Sequence, residues 1–97
     1  MPAARHLRVQ LTLLAPTGGR KASPPAAEFI TVLVSPGRRH FEAAIFPTGP
    51  LVPGGAAVNC EVMFHAPEAV AHFPAGTQFD LWEGGRWGYG TTLGVLA

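Results

Sequence analysis

Basic side chains beside predicted turns are the residues of this chain whose types and spacing point to chemistry. They form three short groups, Arg20-Lys21, Arg38-Arg39 and Arg86. Trp87 and Tyr89 follow the last group, and an arginine next to an aromatic ring suits phosphate contact combined with base stacking. Charged turn residues are also found simply solvated, so a binding role and a solvated surface both remain open.

The sequence contains no recognisable catalytic or metal-binding pattern. The four histidines lack the i, i+2 or i, i+4 spacing that would bring two metal ligands together. Asp80 and Glu83 are predicted on opposite faces of a strand, and no serine lies in a Gly-x-Ser-x-Gly elbow. Gly84-Gly85 and Gly88-x-Gly90 have no following helix that could bind a dinucleotide. The sequence therefore predicts no cofactor, no metal and no enzymatic activity.

The chain carries one cysteine, Cys60, and a formal net charge of +1. Cys60 lies in an apolar alternation, which predicts a small buried side chain, and a single cysteine cannot form a disulfide within the chain. The near-neutral balance excludes nucleic-acid binding through bulk charge, so such binding would need a local basic patch. Since no signal peptide or stretch of transmembrane length is recognisable, we expect a soluble cytoplasmic protein without membrane contact.

Glycines and prolines divide the 97 residues into short segments, and we expect a single domain over residues 1–97. Twelve glycines and ten prolines favour short strands joined by turns. Phe29–Val34 is almost entirely apolar and is predicted to be buried on both faces or nearly so. A single helical turn is expected around Glu68–Ala71. The six predicted strands are His6–Leu14, Phe29–Val34, Phe41–Pro47, Val58–Phe64, Thr77–Trp82 and Trp87–Leu96.

Six strands in so short a chain must share one core, and unpaired strand edges are a liability. A small closed antiparallel barrel meets both requirements, with a two-sheet sandwich as the alternative. Turns cluster at the two ends of a barrel, so some basic groups can share a rim with Trp87 and Tyr89. Gly88, Gly90 and Gly94 weaken the last strand unless something approaches closely, either a backbone at a barrel corner or a ligand.

The C-terminal hairpin has a distinctive sequence, Phe79-Asp80-Leu81-Trp82-Glu83-Gly84-Gly85-Arg86-Trp87-Gly88-Tyr89-Gly90. It resembles the closing hairpin of the C-terminal domain of bacterial elongation factor Tu, in which a strand enters Arg-Glu-Gly-Gly-Arg and a Val-Gly-x-Gly strand follows. Three further segments resemble that domain in the same order along the chain: Leu13–Pro24 with its Gly18-Gly19-Arg20 loop, Val52-Pro53-Gly54-Gly55 and Glu61-Val62-Met63-Phe64-His65-Ala66-Pro67.

This resemblance to elongation factor Tu implies a six-stranded antiparallel barrel, in agreement with the strand count. In that family the domain has no catalytic residues; it packs on the GTPase domain, binds the exchange factor and touches the T-stem backbone of aminoacyl-tRNA. Arg20, Arg86, Gly88 and Gly90 match the family's loop and hairpin motifs. Because the chain has no P-loop and no switch segments, the resemblance does not imply GTP hydrolysis.

The sequence as a whole predicts a non-catalytic binding module for a protein partner or for structured RNA, with a translation-related role implied by the resemblance. The alternative is a small structural protein that self-associates through apolar faces, with Trp82 and Trp87 expected to be exposed. The predicted binding residues are Arg20, Lys21, Arg86, Trp87, Gly88 and Gly90.

Overall fold

The computed structural model describes residues 5–15 and 28–96, and these residues form six β-strands and one short 3₁₀ helix. The helix, Pro67–His72, follows the fourth strand and includes the helical turn expected around Glu68–Ala71. The strands are β1 Leu7–Leu13, β2 Phe29–Val34, β3 His40–Pro47, β4 Val58–Phe64, β5 Gln78–Trp82 and β6 Arg86–Val95. All six predicted strands are confirmed, with bounds that differ by about one residue.

The six strands close into a barrel in the order β1-β4-β3-β2-β5-β6, and every neighbouring pair is antiparallel. β6 completes the barrel by pairing with β1, where Leu11 lies opposite Gly90 and Leu13 opposite Gly88. Closure gives each of these six strands a partner on both sides, so none of the six has a whole edge unpaired. The predicted closed antiparallel barrel is confirmed, and the sandwich alternative is wrong.

Alternating apolar side chains fill the interior of the barrel. The inward residues of β1, Leu7, Val9, Leu11 and Leu13, are each at most 1% exposed, as the period of two predicts. Aromatic rings fill the region next to the end of the 3₁₀ helix, with centroids 5.1 to 6.3 Å apart. The rings in these contacts are those of Phe41, Phe64, Phe73 and Phe79.

β2 is buried on its inner face, but its outer face is buried at Val34 and exposed at Ile30, so the prediction of burial on both faces or nearly so is confirmed only in part. Thr31 and Leu33 face the interior and are at most 2% exposed, whereas Ile30 on the outer face is 63% exposed. The wall of a barrel covers the inner face of its strands, and an outer face is covered only where another segment packs on it. The apolar run of β2 therefore reflects strand propensity as well as burial.

In residues 5–15 and 28–96 we find no helix with the length and apolar character needed to cross a membrane.

Candidate functional site

An open groove of about 310 Å³ lies on the outer wall of the barrel, over β5 and the strands beside it. The pairing of Val32 with Trp82 and of Val34 with Asp80 directs the turn after β2 toward the start of β5. The turn between β5 and β6 lies at the other end of β5. The groove thus runs along β5 between two turns, and its polar lining comes from Ser35, Arg38, Gln78, Asp80, Arg86, Tyr89 and Thr91.

Asp80 connects an arginine from each of the two turns. Arg86 donates a hydrogen bond from Nε to Asp80 Oδ1 at 2.9 Å, and Arg38 Nη1 lies 3.7 Å from Asp80 Oδ2. The side chains of Arg38 and Arg86 are still 69% and 47% exposed, against 29% for Asp80. Ion pairs exposed to this degree contribute at most about 1 kcal/mol to folding. The cluster is therefore a surface arrangement on which the barrel hardly depends.

Arg38 takes its position from a tight turn between β2 and β3. The Arg38 N–H donates to the Ser35 carbonyl at 2.9 Å, and the Ser35 N–H donates to the Arg39 carbonyl at 2.9 Å. Within this turn Arg38 has a φ of +64°, a left-handed conformation that costs a non-glycine residue about 1 to 2 kcal/mol. Glycine would adopt this conformation without strain, so an arginine here gives up stability and gains a guanidinium beside the groove.

The turn between β5 and β6 places Arg86 at the opposite end of the groove. Gly84 and Gly85 have φ values of +63° and +154°, which glycine tolerates because it has no Cβ. The guanidinium carbon of Arg86 lies 5.3 Å from the centroid of the Tyr89 ring, within the range of a cation–π contact. Tyr89 is 42% exposed, so part of its ring stays open to solvent beside the charge.

Trp87 does not line the groove, although the sequence groups it with Tyr89. In the pairing of β5 with β6, Trp82 lies opposite Arg86 and Leu81 opposite Gly88, which leaves Trp87 as an additional residue in β6. Such a β-bulge breaks the alternation of side chains. The Trp87 Nε1–H donates to Thr31 Oγ1 at 3.1 Å, and the indole packs against the core. Trp82 is also partly buried, so the expectation that both tryptophans are exposed is wrong.

Gly88 and Gly90 are buried, and contacts inside the barrel account for both of them. A Cβ at position 90 would lie 2.5 Å from Leu11 Cδ2 and 2.8 Å from Phe79 Cζ, and a Cβ at position 88 would lie 2.8 Å from the Thr12 carbonyl oxygen. Large side chains of β1 and β5 thus occupy the space above these glycines. Gly90 also borders the groove. A contact of either glycine with a partner stays a prediction.

Two predicted binding residues, Arg20 and Lys21, lie outside the described residues. Arg39, next to Arg38, does not line the groove. Arg38 and Tyr89 were noted in the sequence but were not among the predicted binding residues, and Asp80 was not assigned to the site at all. The signal that could have found it is the alternation of β5, because Phe79 and Leu81 face inward and Asp80 between them must face outward.

Titratable side chains outside the groove are relevant to metal binding and to thiol reactivity. No group of three or more His, Cys, Asp or Glu side chains that could hold a metal ion occurs among residues 5–15 and 28–96. Cys60 is fully buried, and burial raises the pKa of its thiol to about 11. Since the thiolate is the reactive form of cysteine, Cys60 is an inert interior side chain.

Neither a protein-family model nor a curated protein matches this chain. The resemblance to elongation factor Tu consequently rests on the hairpin and loop residues quoted above and stays a prediction. The groove itself is the remaining basis for a functional proposal.

Proposed function

We propose that this barrel is a non-catalytic binding module that holds structured RNA against its outer wall, at the groove along β5. One observation carries the proposal: the exposed guanidinium groups of Arg38 and Arg86 and the half-exposed ring of Tyr89 border the same groove. Arginine contacts phosphate with a rigid fork of donors, and an aromatic ring stacks on a base.

The charge distribution supports this use of the surface. The formal net charge is only +1, so nonspecific attraction of a polyanion by the whole protein is weak. Two arginines around one groove give a local positive potential that their single carboxylate partner, Asp80, only partly neutralises. Binding to RNA would then be local and dependent on these few side chains. The resemblance to elongation factor Tu, whose corresponding domain touches a tRNA stem, points to the same class of partner.

The test is a titration of a fluorescently labelled RNA stem–loop with the protein at several salt concentrations. We expect an affinity that falls with added salt, and Arg38→Gln or Arg86→Gln should each weaken binding by about threefold to tenfold and reduce the salt slope by about one. Arg39→Gln is the matched control, because it removes the same charge from an exposed position next to the groove. Substitution of Arg20 and Lys21 tests the remaining predicted contacts.

Absence of RNA binding by the unmodified protein at low salt would rule out this function and leave the protein-partner interpretation of the sequence. Equal losses for Arg39→Gln and Arg86→Gln would show binding by diffuse charge, and would rule out the groove as the RNA site.

Self-association is the competing function, and exposed apolar side chains near the end of β6 favour it. Leu93 and Val95 alternate with Gly94 on this strand and are 46% and 52% exposed, and Tyr89 lies on the same strand. Sedimentation equilibrium at high protein concentration distinguishes the two functions. A strictly monomeric protein excludes self-association. If the protein is a dimer, and Leu93→Ser abolishes the dimer without loss of RNA binding, the two functions use separate surfaces.

A further inference from the structure

The Asp80 carboxylate occupies the position between two guanidinium groups that a bound anion would take. Its Oδ1 accepts the 2.9 Å hydrogen bond from Arg86 Nε, while its Oδ2 faces Arg38 Nη1 at 3.7 Å. Carboxylate and phosphate are recognised by arginine with the same planar fork of donors. Two arginines spaced around one carboxylate are therefore spaced to share one phosphate.

We infer that the groove is a phosphate-binding site in which Asp80 serves as the internal counter-ion of the free protein and is displaced when an RNA phosphodiester binds. This inference rests on the proposed function and assigns a role to each charged side chain. Arg86 and Arg38 bind the phosphate, and Asp80 is a specificity-determining residue that competes with it.

The contacts of Asp80 are weak enough for such an exchange. The distance to Arg38 is longer than a hydrogen bond, and the Arg38 side chain is the most exposed of the three. The pair with Arg86 uses only one of the five donors of that guanidinium. Each arginine therefore keeps donors directed elsewhere that a phosphate can recruit before the carboxylate leaves.

The ring of Tyr89 favours retention of Arg86 in the binding position. The guanidinium of Arg86 lies beside this ring, 5.3 Å from its centroid, and the contact does not involve Asp80. Arg86 is thus held from a second direction when its ion pair with Asp80 opens. Arg38 has its own support, because the hydrogen-bonded turn from Ser35 to Arg39 fixes its backbone.

An internal counter-ion also gives discrimination. A small ligand with one negative charge gains little binding free energy by replacing Asp80, because the two arginines only exchange one anion for another. A phosphate within a polyanion gains the release of counterions along the backbone as well. Asp80 would therefore suppress binding of small carboxylates more strongly than it weakens binding of RNA.

The test compares Asp80→Asn with Glu83→Gln, which removes the same negative charge from the exposed turn next to β6. Asparagine keeps the size of Asp80 and its place in β5, and thermal melting confirms that both variants are folded. The probes are the labelled RNA stem–loop and, separately, inorganic phosphate monitored through the arginine Nε–H signals in NMR spectra. We expect Asp80→Asn to bind the stem–loop about fivefold more tightly than the unmodified protein, and Glu83→Gln to stay within about twofold.

The outcomes separate the two proposals. If Asp80→Asn and Glu83→Gln change the affinity for the stem–loop equally, the counter-ion role of Asp80 is overturned and the RNA-binding function stands. No stem–loop binding, together with phosphate-induced shifts of the Arg86 Nε–H signal that grow in Asp80→Asn, would overturn RNA as the partner and support the phosphate site. If neither the stem–loop nor inorganic phosphate binds the unmodified protein or Asp80→Asn, both the RNA-binding function and the phosphate site are overturned. Addition of Arg38→Gln to Asp80→Asn should remove the gain in affinity, and a retained gain would contradict the shared phosphate.

Discussion

The two faces of the C-terminal hairpin differ in what holds their side chains in place. On the inner face, Phe79 and Leu81 of β5 lie across from Gly90 and Gly88 of β6, and the large residues occupy the space that the glycines leave. On the outer face, Asp80 and Arg86 are joined by one exposed hydrogen bond. The inner face is fixed by close packing, and the outer face by weak surface electrostatics.

This difference distinguishes the residues of the hairpin that specify the fold from those that are available for function. The glycine-spaced pattern Gly88-x-Gly90 suggests a ligand site when it is read alone, yet the structure explains it by contacts with β1 and β5. The polar residues between the inward positions contribute little to the barrel. Substitutions on the two faces should therefore separate stability from binding.

The largest effect is expected on the inner face, from Gly90→Ala. The added Cβ would lie 2.5 Å from Leu11 Cδ2, 2.7 Å from the Gln10 carbonyl oxygen and 2.8 Å from Phe79 Cζ. Because one of these atoms belongs to the backbone, the strand itself must shift, and we expect a loss of about 3 kcal/mol in the free energy of unfolding. Urea denaturation measures this loss.

Gly94→Ala is the matched control for Gly90→Ala, since a Cβ at position 94 meets no atom within 4 Å. We expect its free energy of unfolding to stay the same or rise by less than about 1 kcal/mol. Similar losses in the free energy of unfolding for the two variants would show that β6 needs glycine for backbone freedom and not for packing. The conclusion that close packing fixes the inner face would then be wrong.

A smaller effect is expected at Cys60, inside the barrel, when pH is raised. Burial raises the pKa of the Cys60 thiol from 9.0 to about 11, so between these values the unfolded chain loses a proton that the folded barrel retains. The contribution of the neutral thiol is fully present below about pH 9 and is lost as pH rises toward 11, a change of about 2 to 3 kcal/mol.

Unfolding free energies of the unmodified protein and of Cys60→Ala, measured across this alkaline range, test the effect of the thiol. Other groups also titrate there, so the informative quantity is the difference in slope between the two proteins. We expect the variant to lose less stability per pH unit. Parallel curves would show that the thiol ionises in the folded barrel as easily as in the unfolded chain.

The smallest effect on stability is expected on the outer face, from Arg38→Gly. Glycine relieves the strain at a φ of +64° but increases the freedom of the unfolded chain, so the free energy of unfolding should stay constant or rise by less than about 1 kcal/mol. RNA affinity should fall as it does for Arg38→Gln. A destabilised Arg38→Gly variant would mean that the arginine side chain supports the fold, and the two faces would then not be functionally distinct.

The strands of this barrel were predictable because their signals are local. The alternation in β1 and the turn residues around each strand depend only on neighbours in sequence, and they predicted six strands with nearly correct ends. The burial of β2 was predicted less well because it depends on contacts with residues far away in sequence. Whether Ile30 is covered depends on a second layer of structure, and the sequence of β2 does not contain that information.

The site was predictable only in part, for the same physical reason. Arg86 and Tyr89 are near each other in sequence, so their contact followed from the hairpin. Arg38 lies far from Asp80 along the chain, and only the pairing of Val34 with Asp80 brings them together. Trp87 was expected to be exposed because a bulge in β6 cannot be recognised before the register of β5 and β6 is known.

Local patterns in the sequence were enough to predict short strands with an apolar inner face, an interior Cys60 and a Glu-Gly-Gly-Arg turn between the last two strands. These are consequences of side-chain period and of glycine's backbone freedom, which act within a few residues. Which strands are neighbours depends on contacts between residues far apart in sequence. The pairing of β2 with β5 brought Arg38 to the Asp80–Arg86 pair of the hairpin, and so placed a carboxylate between two arginines.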